Sequence, residues 1–208
     1  MTEEQTKASG KQSFIAEARR EQIMNAAIQT LNEIGYVKAS LAQIAKRAGI
    51  STGLISYHFS DKSDLMNHLL MNLVEKSATY ILERVHRTET ATAKLSAFID
   101  ASLAYQGTQP MHFTALVEIV FNARTPDNTP YYKLEDELEE DILLCELIQI
   151  LRTGQEQGEF GTFNVYVMAN SIQGAIGEYM SSSSIRDKVD LEAYSKELIQ
   201  TFEKATKA

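Results

Sequence analysis

At 208 residues, 44% apolar and with a formal net charge of −8, the chain is long enough to bury one large core or two modest ones. No stretch approaches the roughly 20 consecutive apolar residues of a membrane span. The polar start MTEEQTKASGKQ has no signal-peptide apolar segment, so a cytoplasmic location and no membrane partner are expected.

The charge is unevenly divided. Residues 1–64 carry +1 and residues 65–208 carry −9. This asymmetry points to two domains with different partners, and to a modest basic footprint for any nucleic acid. The single Cys145 excludes an internal disulfide and, inside the apolar run ILLCELIQIL, is expected to behave as a small hydrophobe.

Residues 1–13 have little apolar content and read as a flexible arm. A helix follows over about 16–34, with Ile23, Ala27 and Leu31 on one stripe and Gly35 ending it. Leu41, Ile44, Ala45 and Ala48 recur at helical spacing in a second, short helix. Gly49 stands where the chain must take positive φ to leave it. Ser51 can cap a third helix, whose Ile55 and Phe59 lie four apart and point inward. Thr52, Gly53, Leu54, Ser56, Tyr57 and His58 are left outward. Two short helices joined by a tight turn form a helix-turn-helix, the unit that lays its second helix in the major groove. Residues 14–64 therefore read as a DNA-binding domain.

Asp61 and Asp64 cap a long fourth helix, about 62–87, carrying Leu65, Leu69, Leu73, Ala78 and Leu82. It begins in the helix-turn-helix and runs into a body spanning 65–208. Further helices are predicted at about 91–107, 110–123, 131–157, 163–181 and 190–206, punctuated by Pro110, Pro126, Pro130, Gly158 and Gly161. No segment alternates at period two, so the chain is predicted all-α. The acidic run Glu135–Asp141 reads as a solvated face near a helix start, not as a metal site.

His58, His68, His86 and His112 are scattered without metal-ligand spacing, and no triad or glycine-rich phosphate loop is present. Neither enzyme activity nor a cofactor is expected. The body holds thirteen of the seventeen Phe and Tyr residues. In MHFTALVEIVFNA, Glu118 lies among apolar neighbours, with Thr114 and Asn122 four residues to either side. Such a carboxylate must be paired, protonated or turned to water. One reading makes it the anchor of an effector cavity lined by Tyr105, Met111, Phe113, Phe121, Gln173 and Glu178. The other makes it a structural partner of a neighbouring helix, which is the commoner fate of such acids.

The run RREQIMNAAIQTLNEIGY (Arg19 to Tyr36), the IA-x-x-AG-I-S core (Ile44 to Ser51), Gly53, and YHF followed by Lys62 and Leu65 resemble one known pattern over about 47 residues. It is the N-terminal domain of the tetracycline-repressor (TetR) family of bacterial transcriptional regulators. Many members carry an aromatic directly before the Tyr-His-Phe, whereas here it is Ser56, so a contact made there is smaller or shifts onto Tyr57.

The resemblance implies a homodimer that reads a palindromic operator in double-stranded DNA. The residues expected to meet DNA are Lys46, Thr52, Gly53, Leu54, Ser56, Tyr57, His58 and Lys62, the last at a helix N-terminus suited to a phosphate. It also implies that the last two helices form a four-helix interface with their copies. The expected interface residues are Ile172, Ile176, Tyr179, Tyr194, Leu198 and Phe202, with Gly174 and Gly177 allowing close approach. The expected function is a ligand-responsive regulator, a repressor released by an unidentified small-molecule effector. The competing expectations are a constitutive DNA-binding protein whose body recruits a protein partner, and a helical enzyme.

Overall fold

The computed structural model describes residues 3–133 and 141–207, with side chains from Phe14 onward. The described residues are helical apart from turns and two isolated bridges, Arg124 with Pro130 and Phe160 with Lys207. They fall into two compact units. The first comprises Met1–Asn72 and Thr114–Tyr132, the second Leu73–Phe113 and Lys133–Ala208.

In the first unit, helix α1 runs Glu3–Lys38, taking in most of the segment expected as an arm. Its inner stripe (Ile23, Met24, Ala27, Ile28 and Leu31) is buried. At Gly35 the backbone leaves helical geometry (φ 74°, ψ 167°), a region open essentially only to glycine. Helix α2 (Leu41–Ala48) is capped by Ser40, whose hydroxyl accepts the amide of Gln43, and is closed by Gly49 at φ 69°. Helix α3 (Thr52–His58) starts at Ser51, whose hydroxyl accepts the amide of Leu54 at 3.2 Å. Ile44, Ala45, Ile55 and Phe59 are all buried, as their spacing predicts.

Helix α4 (Lys62–Val85) opens with a reciprocal cap. Asp61 accepts the amide of Asp64 at 2.9 Å, and Asp64 accepts that of Ser60 at 2.8 Å. The Ser60 amide is the main reason the Asp64 carboxyl is held below the usual aspartate range. Most of helix α6 (Pro110–Asn122) belongs to this unit. The chain then turns through Asn128 at φ 69° into a single 3-10 turn, Tyr131–Lys133, whose Tyr131 hydroxyl donates to the Asn67 side chain.

The second unit contains the rest of α4 with α5 (Ala91–Thr108), α7 (Ile142–Glu156), α8 (Val165–Ser181), α9 (Ser183–Arg186) and α10 (Leu191–Thr206). Its core is Leu95, Phe98, Ile99 and Leu103 of α5, Leu147, Ile150 and Leu151 of α7, the inner face of α8, and Phe202 of α10. Glu159 caps α5 from the α7–α8 loop, accepting the amides of Ala91 at 3.1 Å and Thr92 at 2.9 Å. Ser195 donates to Asp100 at 3.0 Å and fastens α10 to α5.

Two expectations need correction. The helix expected over 131–157 is a single turn at Tyr131–Lys133 and then α7, which begins at Ile142 because Asp141 accepts the amides of Leu143 and Leu144. Of the acidic run, only Asp141 lies within the described residues. Cys145 is exposed, since α7 turns Leu147, Ile150 and Leu151 inward instead. Among the described residues no helix is long and apolar enough to cross a membrane.

Candidate nucleic-acid interface

Helix α3 is seven residues long and presents most of its surface to solvent. Thr52, Gly53, Ser56 and Tyr57 are exposed, Leu54 and His58 are half-buried, and only Ile55 is fully inside. Tyr57 is 81% exposed, an unusual state for a large aromatic with no packing role. Its ring meets that of His58 edge-on at 5.0 Å. Lys46 is exposed in the last turn of α2.

The scaffold behind this surface is fastened by polar contacts. Gln22 donates to the carbonyl of Ala48 at 2.7 Å and so ties α1 to the end of α2. Arg47 pairs with Glu33, and the Arg20 guanidinium lies 5.9 Å from the centre of the Phe59 ring. Burial, with Arg20 and Arg19 nearby, pushes the His58 imidazole below its usual pKa, so it is neutral near pH 7 in the free protein.

Lys62 is placed differently from the other expected DNA contacts. Its ammonium donates to the Tyr36 carbonyl at 2.6 Å and sits 4.1 Å from the centre of the Tyr36 ring. Burial lowers its pKa. The charge expected to meet a phosphate is turned instead onto the backbone that follows Gly35.

Glu118 meets the other side of the same residue. Its Oε2 accepts the Tyr36 amide at 2.7 Å, and Asn122 donates to it at 3.4 Å. No effector is needed to satisfy this half-buried carboxylate. The expected effector set is also divided between the units. Tyr105, Met111, Phe113, Gln173 and Glu178 lie in the second, and Glu118 and Phe121 in the first. Phe121 is 60% exposed and stacks on Tyr132 at 5.9 Å.

Met111 and Glu178 are exposed, and Gln173 reaches Asp141 at 3.5 Å. Tyr105 instead joins two residues that the sequence did not single out for the cavity. Its hydroxyl is 3.1 Å from His112 Nδ1, and its ring lies 5.4 Å from that of Tyr80. Burial raises the Tyr105 hydroxyl pKa and lowers that of His112, which is therefore neutral. The pair spans the break between α5 and α6 at Gln109, so helical periodicity gave no signal for it.

The expected dimer residues also divide. Ile172, Ile176, Tyr179 and Phe202 are between 0 and 9% exposed within the single chain and pack in its own core, so they are not free to meet a second copy. Tyr194 is half-buried, its hydroxyl donating to the Ala175 carbonyl at 2.7 Å and its ring 4.7 Å from that of Tyr179. Leu198 is half-buried too. The outer face of α8 is formed by Val167, Asn170, Ser171, Gly174 and Glu178, all exposed. Beside Gly174 and Gly177 a β-carbon would meet open space.

Residues 23–69 match the family described as bacterial regulatory proteins, tetR family. The HTH-type transcriptional regulator BetI of Escherichia coli O17:K52:H18 (strain UMN026 / ExPEC) is 31% identical over 119 residues, covering 56% of this chain and 60% of that protein. BetI of Escherichia coli strain K12 / DH10B is 37% identical over 76 residues, covering 36% and 39%. The chain thus spans less than two thirds of the length of these relatives.

Two solved structures match over most of their length. The fatty acid degradation regulator FadR from Bacillus halodurans gives a TM-score of 0.73 at 23% identity, covering 88% of this chain and 94% of that one. FadR from Bacillus subtilis in complex with stearoyl-CoA gives 0.74 at 24% identity, covering 88% and 96%. At these identities the likeness is one of fold.

Proposed function

We propose that the chain, whose residues 23–69 match the tetR family of bacterial regulatory proteins, is a ligand-responsive repressor binding a palindromic operator as a homodimer in the cytoplasm. The observation that carries the DNA-binding part is α3, which keeps Ile55 inside and leaves Thr52, Gly53, Ser56 and Tyr57 exposed. Polar and aromatic groups on a short, well-capped helix suit base edges and phosphates of the major groove.

A second copy is required to read a two-fold site, with recognition helices about 34–36 Å apart. The outer face of α8 around Gly174 is the surface we assign to that copy. Effector binding would favour a conformation with α4 displaced, so that the paired α3 helices no longer match the groove. The effector must prefer that conformation by about 1–3 kcal/mol. Stearoyl-CoA, bound by the FadR structure from Bacillus subtilis, is the first compound to try, and the second unit, with Tyr80, Tyr105 and His112, is where we look for it.

The test is selection of bound duplexes from a random pool by the full chain, followed by the same binding with stearoyl-CoA present. A recovered pseudo-palindrome, bound by a dimer and released by the compound, supports the whole reading. A dimer holding that sequence regardless of any compound would favour a constitutive regulator.

A further inference from the structure

Two charged side chains hold the backbone of one residue from opposite sides. Gly35 kinks the chain near the end of α1, and Tyr36 follows the kink, its carbonyl also accepting the Ala39 amide at 3.2 Å. Glu118 of α6 takes the amide at 2.7 Å, and Lys62 takes the carbonyl at 2.6 Å. Both contacts are charge-assisted and short, which makes them stronger than neutral hydrogen bonds. A β-carbon on Gly35 would stand 3.2 Å from the same Glu118 oxygen, so the carboxylate is fitted closely to the turn. All these residues belong to the first unit.

The geometry lends this clasp a function. Tyr36 lies between the Gly35 kink and the end of α1 at Lys38, just before the link to α2, and Lys62 is the first residue of α4, four positions after the end of α3. Fixing Tyr36 to Lys62 therefore fixes both ends of the segment that contains α2 and α3. We propose that Glu118 is a positioning residue for DNA binding. Together with Lys62 it locks the Tyr36 backbone and holds α3 at the angle at which it enters the groove. This rests on the DNA-binding reading above and gives Glu118 a role there, not in an effector cavity.

The sign of the effect separates this role from simple electrostatics. Removing an acid from a chain of net charge −8 should by itself strengthen DNA binding. The clasp requires the opposite.

The experiment measures affinity for the duplex that the wild-type chain selects, together with backbone amide exchange. Glu118→Ala should bind about tenfold more weakly, with an unchanged salt slope because Glu118 meets no phosphate, and exchange at the Tyr36 amide should accelerate. Glu118→Gln, whose amide oxygen still accepts from Tyr36, should recover most of the loss. Glu118→Asp keeps the charge but shortens the reach, and should lose affinity several-fold; it also serves if the alanine variant does not fold.

Unchanged or tighter binding by folded Glu118→Ala or Glu118→Asp, with only a lower melting temperature, overturns the positioning role and leaves a structural brace. Unchanged Tyr36 exchange overturns the clasp itself. A wild-type chain that selects no duplex overturns the DNA-binding reading, and this role with it.

Discussion

The ring of Phe160 lies so close over Gly154 that a β-carbon at that position would overlap its Cδ2 atom. The ring is rigid and 95% buried, so it has little room to retreat. Gly154→Ala should destabilise the chain by about 1–3 kcal/mol, the usual range for overpacking a filled core. Gly107→Ala is the comparison. There the nearest atom is Cδ2 of Leu191, the end of a flexible side chain, so the loss should be smaller. Urea unfolding of both variants checks the order.

Tyr57 should matter for DNA and not for folding. With its ring 81% exposed, Tyr57→Ala should change stability by no more than about 0.5 kcal/mol. Binding of the selected duplex should weaken about tenfold, corresponding to roughly 1.4 kcal/mol. Equal affinity in anisotropy titrations would mean that α3 does not face the groove with this side.

His58 makes binding depend on pH with a definite sign. Its pKa in the free protein is lowered by burial and by Arg20 and Arg19. Nearby phosphates would raise it in the complex, so binding takes up a proton and affinity should rise as pH falls from about 7 towards 5. Stability of the free protein moves the other way, because the unfolded chain accepts that proton more readily and gains as pH falls through the ordinary histidine range. His58→Gln should flatten both trends, which titrations and melting curves at a series of pH values will detect.

Association should respond to the outer face of α8 more than to its inner one. Gly174→Leu projects a side chain into open space in the single chain, so it should leave the fold intact. If a second copy packs there, the dimer dissociation constant should rise at least tenfold in sedimentation. Ile176→Ala, by contrast, removes a buried core side chain and should cost about 2–5 kcal/mol of stability.

What could be read from the sequence depended on how local the cause was. Gly35, Gly49, Ser51 and the Ile55–Phe59 pair act within a turn or two, and spacing alone located the two short helices. Glu118 was visible as an anomaly, a carboxylate in an apolar run, but its partner lies 82 residues upstream. No periodicity connects them. Lys62 was read from its place at a helix start, and the competing attraction of the Tyr36 carbonyl comes from a turn 26 residues earlier. On α8 the spacing of Ile172, Ile176 and Tyr179 correctly marked an apolar face. Periodicity says that such a face is covered, and is silent on whether the same chain or a second one covers it.

The exposure of Tyr57 has an optical consequence. The chain contains no tryptophan, so its near-ultraviolet emission comes from nine tyrosines alone. An indole introduced as Tyr57→Trp would be the sole emitter of its kind, standing on the surface assigned to the groove. Stacking against bases or burial beside phosphates would quench or shift that emission. Occupancy of unlabelled DNA could then be followed in real time, at a wavelength where the rest of the molecule is dark.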